Sequence, residues 1–282
     1  MEEAIKKADI LIEALPYIKK FHKKIMVIKY GGSILGEERI RKSVLEDIAF
    51  LRYTGIRPIL VHGGGPNITE RLKKLKFPSK FIEGFRVTDS KTLKIVEEEL
   101  NNLNDLIVEE ITSHGIKAKG FKKDDRILLV KKKKSKKDLG FVGEVVDFNR
   151  RSIEEVLKEA IPIVCPMGIS DDNTTYNINA DEVAFFLASY LPAEKVVFLT
   201  NVLGVMRDPN NEDSLISTLT VKEAEDLIKE KVIDEGMVPK VKAAIEAIKH
   251  GVKKAHIIDA KIPHAILLEI FTDEGIGTEI IP

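Results

Sequence analysis

From residue 25 onward, short β-rich runs alternate with longer stretches of helical periodicity, and this alternation restricts the fold more than any other feature. Runs 25–30, 58–62, 127–131, 161–165, 195–200 and 255–259 predict strands. Apolar spacing predicts helices over 38–54, 68–75, 91–114, 152–160, 180–190, 220–229 and 239–250. Strands separated by helices make βαβ units, so the chain is expected to be α/β, with a mainly parallel open sheet sandwiched by helices. Ligands bind such sheets at the carboxyl ends of the strands. Residues 127–146 break the pattern with short strands joined by a loop that holds six lysines in positions 131–137. Without interleaved aromatics, that loop reads as a solvated hairpin rather than a nucleic-acid patch.

The length of 282 residues admits one large domain or two lobes. A division would follow the helix 180–190, giving lobes 25–190 and 191–282. Ahead of the first strand, Ile5, Ala8, Ile12, Leu15 and Ile18 recur every three or four residues. They predict an extra N-terminal helix over 1–24 with one apolar stripe, kinked at Pro16. Packing on its own domain and pairing with another subunit are both open.

Two strand ends run into glycines. The first is Lys29-Tyr30-Gly31-Gly32-Ser33, the second His62-Gly63-Gly64-Gly65-Pro66. Glycine amides and a helix N-terminus suit a phosphoryl group, and Lys29 adds a full positive charge. An ordinary glycine turn is the alternative for either stretch alone. The first is not a Walker loop, because Glu37 stands where that motif needs lysine. Together they fit phosphoryl transfer, in which negative charge on the transferring group must be surrounded by donors and cations. His62 reads as a residue positioning the loop rather than a base.

Three further stretches carry candidate chemistry. Arg86 follows Gly84-Phe85 and can clamp a carboxylate or make a surface ion pair; Thr88 or Asp89 can cap the next helix. Asn177, Asn179 and Asp181 share one side of an extended segment by their period of two, with a helix cap by Asn179 as the alternative. Lys240 opens a helix, where a cation is locally unfavourable unless an anion completes the site.

Charge and composition narrow the partners. Forty-five basic residues balance 45 acidic ones, so the net charge draws the molecule to neither nucleic acid nor an anionic membrane. No apolar stretch approaches the roughly 20 residues of a membrane helix, and the N-terminal sequence does not read as a secretory signal. A cytoplasmic location is expected. The single cysteine, Cys165, sits in an apolar run and reads as a buried structural thiol. None of the six histidines has ligand spacing, so no protein-held metal is expected. Abundant lysine and glutamate without tryptophan point to a heat-adapted source.

Seven stretches in register give a family resemblance over residues 25–280. They are Ile28-Lys29-Tyr30-Gly31-Gly32-Ser33, Val61-His62-Gly63-Gly64-Gly65-Pro66, Gly84-Phe85-Arg86-Val87-Thr88-Asp89 and Phe141-Val142-Gly143-Glu144-Val145, followed by Asn177-Ile178-Asn179-Ala180-Asp181, Gly236-Met237 with Lys240, and Phe271-Thr272-Asp273-Glu274-Gly275-Ile276-Gly277-Thr278. With them the chain resembles the amino acid kinase family, in particular members acting on N-acetyl-L-glutamate.

The resemblance implies a two-lobed subunit that moves the γ-phosphoryl group of ATP, with Mg2+, onto the side-chain carboxylate of N-acetyl-L-glutamate in arginine biosynthesis. By motif position, Lys29 and Lys240 would neutralise the phosphoryl group, Asp181 would hold both lysines, and the Gly31, Gly32, Gly64 and Gly65 amides would bind its oxygens. Arg86, Asn177 and Asn179 would position the acceptor, and ATP would lie near Thr200, Asn201 and Gly204 as well as Lys240. Asn201 stands where members often have aspartate, and 120–125 and 260–261 also depart from the family pattern.

Arginine-inhibited members have a similar extra N-terminal helix that interlaces dimers into a hexamer, a trimer of dimers. Feedback inhibition by arginine is therefore expected, with Glu269, Gly275 and Gly277 as effector contacts, and a nitrogen-signalling protein is a possible partner. Two other readings stay open: a related kinase acting on another carboxylate, and a non-catalytic arginine or nucleotide sensor.

Overall fold

The computed structural model describes residues 1–282 apart from 33–35, 234–235 and 274, and apart from the side chains of residues 3, 4, 6 and 7. Ser33 and Glu274 of the motifs above therefore lie outside the described residues. In chain order the elements are α1 (Glu2–Glu13), α2 (Leu15–Phe21), β1 (Ile25–Tyr30), α3 (Glu38–Tyr53), β2 (Arg57–His62), α4 (Gly65–Lys74), β3 (Phe81–Ile82), β4 (Phe85–Arg86), α5 (Ser90–Ser113), β5 (Ala118–Phe121), β6 (Leu128–Lys132) and β7 (Gly143–Phe148). Then follow α6 (Arg150–Glu159), β8 (Ile161–Val164), β9 (Met167–Ile169), β10 (Thr175–Asn177), α7 (Ala180–Tyr190), β11 (Ala193–Thr200), β12 (Thr218–Thr220), α8 (Val221–Lys229), α9 (Val238–Lys249), β13 (Lys254–Asp259), α10 (Ala265–Phe271) and β14 (Thr278–Ile281).

Eight strands form one sheet in the order β12-β14-β13-β11-β1-β2-β8-β5. Only the β13–β14 pair among them is antiparallel, so the sheet is mainly parallel, as expected. β1 lies at its centre between β2 and β11, and strands from both sides of residue 190 pair in it. The strand order turns at β1, so its carboxyl end opens a crevice between connections that leave in opposite directions. A smaller sheet, β10-β9-β6-β7, and the β3–β4 hairpin complete the strands.

The period of two decides which way each central side chain points. Val27, Ile59 and Val196 face one core, which includes Val183, Ala184 and Leu187 of α7 and Val241 and Ala244 of α9. Met26, Ile28, Leu60 and Val197 face the other, with Val44, Leu45 and Ile48 of α3 and Leu103 and Ile107 of α5. All six residues of β1 are buried, as suits a strand covered on both faces. By parity with Val27, Lys29 turns to the α7 and α9 side.

Three details differ from the sequence reading. The N-terminal segment is two helices: the break comes at Ala14, and Pro16 sits in the first turn of α2, where it costs no hydrogen bond. The helix expected at 68–75 begins earlier, at Gly65, because Pro66 is accommodated in its first turn. Asp181 is not extended with Asn177 and Asn179 but lies in the first turn of α7; the Asn179 side chain accepts its backbone N–H at 2.8 Å, so Asn179 is the cap. Asp89 caps α5 by accepting from the Thr92 backbone N–H at 2.7 Å. Of the lysine-rich segment, Lys131 and Lys132 end β6 and the rest lies in the connection of the β6–β7 hairpin.

Candidate active site

The strand register brings both glycine loops to one level. Lys29 is opposite Val61 of β2 and Phe198 of β11, and Tyr30 is opposite His62 and Leu199. The residues just beyond, 31–32, 63–65 and 200–201, therefore emerge side by side. They are in contact: a Cβ on Gly32 would stand 2.7 Å from the Gly65 nitrogen and 2.8 Å from the Gly64 nitrogen. Glycine at position 32 is what lets the two backbones approach this closely.

Around these loops lies a cavity of about 300 Å³. Lys29, Gly31, Gly32, Gly64, Gly65, Arg86, Asn177, Asn179, Thr200, Asn201 and Lys240 all line it. Lys29 Nζ is 2.9 Å from Asp181 Oδ1, and Lys240 Nζ is 3.5 Å from Asp181 Oδ2. One carboxylate thus binds a lysine from the central strand and a lysine from the first turn of α9. It also answers the unfavourable placement of Lys240, whose charge is compensated across the helix–helix contact.

The electrostatics of this triad follow from burial. Asp181 is 5% exposed and Lys29 6%. Burial works against the Asp181 carboxylate, but the charges of Lys29 and Lys240 overcome it and hold its pKa below the ordinary value. Burial also pulls the Lys29 ammonium down, while Asp181 opposes that shift. An arriving phosphoryl group would bring further negative charge, which favours the protonated lysine. Lysines and amides form a donor set for an anion; among the described residues no group of three or more His, Cys, Asp or Glu side chains is placed to hold a metal ion.

Arg86 is buried at the end of the β3–β4 hairpin. Its Nη2 donates to the Gly65 carbonyl at 2.8 Å and to Thr69 Oγ1 at 2.7 Å, and its Nη1 donates to Ser79 Oγ at 2.5 Å. Those bonds use three of the five guanidinium donors and tie the hairpin to α4. The Phe81 ring lies 4.6 Å from the guanidinium carbon. Asn177 Nδ2 donates to Thr88 Oγ1 at 3.4 Å, linking β10 to the same region.

The other sequence-derived residues divide between two separate cavities. Gly204 is not in the main site. It lines an apolar cavity of about 80 Å³ with Val202, Val205, Met206, Pro209, Ile233 and Met237. The Thr200 hydroxyl donates to the Val202 carbonyl at 2.7 Å and accepts the Val202 N–H at 3.1 Å, so it shapes the turn between these two cavities. Glu269, Gly275 and Gly277 line a polar cavity of about 180 Å³ between α2 and the C-terminal segment. There His256 Nδ1 is 2.5 Å from Glu269 Oε1, Tyr17 donates to Asp273 at 2.5 Å, and burial draws Lys195 down to about 8.

Several lining groups carried no sequence signal. Phe81 lines the main cavity and Thr69 and Ser79 hold Arg86, yet each is an ordinary residue in its local pattern. Tyr17, Lys20, Lys195 and His256 reach the polar cavity from segments far apart in the chain. Cys165 is buried and its thiol pKa is pushed up by that burial, consistent with a structural role. No helix among the described residues is long and apolar enough to cross a membrane.

Known proteins resemble the chain in sequence and in fold. The chain is 48% identical to an acetylglutamate kinase of Petrotoga mobilis, covering 99% of this chain and 94% of that protein. It is also 48% identical to an acetylglutamate kinase of Halothermothrix orenii, covering 100% and 99%. Among solved structures, the N-acetylglutamate synthase of Neisseria gonorrhoeae complexed with coenzyme A and N-acetyl-glutamate superposes with a TM-score of 0.89 at 23% identity. That match covers 98% of this chain but only 63% of the synthase, less than two thirds of its length. A carbamate kinase of Giardia lamblia bound to AMP-PNP superposes with a TM-score of 0.65 at 15% identity, covering 92% and 98%. The model of the amino acid kinase family matches residues 24–259, which take in both glycine loops and the Lys29, Asp181 and Lys240 triad. On that match and on the full-length relatives, the chain belongs to the amino acid kinase family.

Proposed function

We propose that the chain transfers the γ-phosphoryl group of ATP to the side-chain carboxylate of N-acetyl-L-glutamate, giving N-acetyl-L-glutamyl 5-phosphate in arginine biosynthesis. The observation that carries this reading is one buried carboxylate, Asp181, holding Lys29 and Lys240 at 2.9 and 3.5 Å beside two touching glycine loops. The names of the relatives supply the acceptor. A carboxylate nucleophile is already ionised at neutral pH, so the reaction needs no general base, and positioned positive charge lowers the barrier.

In this account Lys29 and Lys240 stabilise the transferring group, Asp181 positions them, and Gly31, Gly32, Gly64 and Gly65 present amides to its oxygens. Arg86, Asn177 and Asn179 hold the acceptor. The nucleotide extends from Lys240 past Thr200 and Asn201 towards Gly204, whose apolar cavity suits a flat ring; Mg2+ travels on its phosphates. Residues 25–190 would serve mainly the acceptor and 191–282 the nucleotide, in a cytoplasmic enzyme.

Regulation by arginine belongs to the same reading. The polar cavity at Glu269, Gly275 and Gly277 holds the acidic groups a guanidinium needs and borders α2. On α1, Ile5, Ile10, Leu11 and Ile12 are exposed in the single chain, which fits a helix that pairs with another subunit in a hexamer. A nitrogen-signalling protein remains a further partner of this reading.

An ATP-dependent hydroxamate assay across N-acetyl-L-glutamate, glutamate, aspartate and aminoadipate, with and without arginine, tests the proposal. Product from N-acetyl-L-glutamate well above the others, reduced by arginine, is expected. Acyl phosphate from none of the four would overturn it.

A further inference from the structure

Two buried polar side chains stand behind the second glycine loop without touching the cavity. His62, the last residue of β2, is 0% exposed, and so is Asn104 of α5. By parity with Leu60, His62 turns to the sheet face that α5 covers. Asn104 Nδ2 lies 3.2 Å from the Ile163 carbonyl oxygen and 3.1 Å from His62 Nε2.

These contacts fix the proton on the ring. A carbonyl oxygen only accepts, so the amide nitrogen of Asn104 must be the atom facing Ile163. The same nitrogen then offers its other hydrogen to His62 Nε2, which becomes the acceptor. The ring proton is left on Nδ1, 3.1 Å from the carbonyl oxygen of Gly63. Burial pulls the imidazole pKa down to about 4, so the ring is neutral at physiological pH. The amide itself is closely confined: a Cβ on Gly120 would stand 2.1 Å from Asn104 Oδ1.

The Gly63 carbonyl shares a planar peptide with the Gly64 N–H, and in a trans peptide the two point in opposite directions. A hydrogen bond that pins the oxygen therefore aims the amide. Three successive glycines have little conformational preference of their own, so the aim has to be imposed from outside the loop.

We infer that Asn104 and His62 are positioning residues: Asn104 sets the His62 tautomer, and His62 orients the Gly63–Gly64 peptide so that the Gly64 amide faces the transferring phosphoryl group. The inference rests on the phosphoryl-transfer reading above for its last step.

Two measurements on the full-length protein test it. With 15N-labelled histidine, two-bond nitrogen–proton correlation spectra should show His62 neutral and protonated on Nδ1 at neutral pH, its signals identified by their loss in His62→Asn. The Nε2-protonated tautomer, or an imidazolium, would overturn the inference. In steady-state kinetics, His62→Leu and Asn104→Leu should lower kcat by on the order of 10- to 100-fold, a misaimed donor costing somewhat less than a deleted one, with little change in either KM. His62→Asn, whose amide nitrogen takes the place of Nδ1, should recover most of the rate.

Equal losses in His62→Asn and His62→Leu would contradict a positioning role, as would an unchanged kcat in His62→Leu. Should the leucine variants fail to fold, the tautomer of the parent and the rate of His62→Asn still decide. A parent protein that transfers no phosphoryl group would refute the underlying reading, and the spectrum would still test the tautomer.

Discussion

At the scale of residues, the site is organised by one carboxylate. Asp181 offers its two oxygens to two lysines from different elements, and it has few alternatives because it is buried against α9 and the central strand. Asp181→Asn should lower kcat by on the order of 100-fold and cost about 3–5 kcal/mol of stability, the range for removing one partner of a buried ion pair. It should also move the alkaline limb of the pH–rate profile to lower pH. Asp181 raises the Lys29 pKa, so without it the ammonium loses its proton earlier as the pH rises. An alkaline limb that stays in place would mean that Lys29 does not depend on this carboxylate. Lys29, Asp181 and Lys240 were legible in the sequence because each sits in a short local pattern at the end of a strand or the start of a helix. Asn104 was not: it is one polar residue in a 24-residue helix, and its meaning comes from partners 42 and 59 positions away.

At the scale of elements, period-two parity explains why the central strand serves both cores and the site. Odd-numbered side chains of β1 face α7 and α9, and Lys29 ends that series. The central strands were legible because they are continuous β-branched runs, covered on both faces and bounded by turns. β3, β4, β9, β10 and β12 were not, being only two or three residues long and set by pairing rather than by composition. The helix start at Gly65 was missed because Gly65 and Pro66 read as the turn ahead of a helix, whereas a first turn accommodates proline without losing a hydrogen bond.

A second element contact makes a test of pH. His264, just ahead of α10, bonds to Asp47 of α3 through Nδ1 at 2.7 Å. Burial raises the Asp47 carboxyl to about 6, and the hydrogen bond to Asp47 raises the His264 pKa above its ordinary 6.5. A histidine whose folded pKa is raised adds stability that is fully present below the unfolded value and is lost as the pH rises through the folded one. Asp47 takes up a proton below about 6 and the pair weakens there, so His264→Gln should lower Tm most near pH 6.5, and the difference from the parent should shrink as the pH is raised. A difference that grows with pH would reverse the sign of this account. The half-exposed histidine is screened by solvent, so the effect should be small.

At the scale of the whole molecule, the mainly parallel sheet was legible from the alternation of runs, whereas the cavities were not, because they are made by segments that meet only after folding. The polar cavity joins Tyr17 to Asp273 across nearly the full chain. Deleting residues 1–22 removes Tyr17 and the exposed apolar residues of α1 together. On the proposal of an arginine-controlled hexamer, light scattering should then report a dimer for the truncated protein, and arginine should leave its activity unchanged. A truncated protein that stays hexameric would show that assembly does not need these helices. On the proposed mechanism Lys29 and Lys240, gathered by Asp181, act on the phosphoryl group in transit rather than on the resting substrates. Steady-state kinetics of Lys240→Ala with N-acetyl-L-glutamate and ATP test that claim most directly: kcat should fall by on the order of 100- to 1000-fold while the KM for N-acetyl-L-glutamate stays near that of the parent. A raised KM with kcat preserved would contradict it.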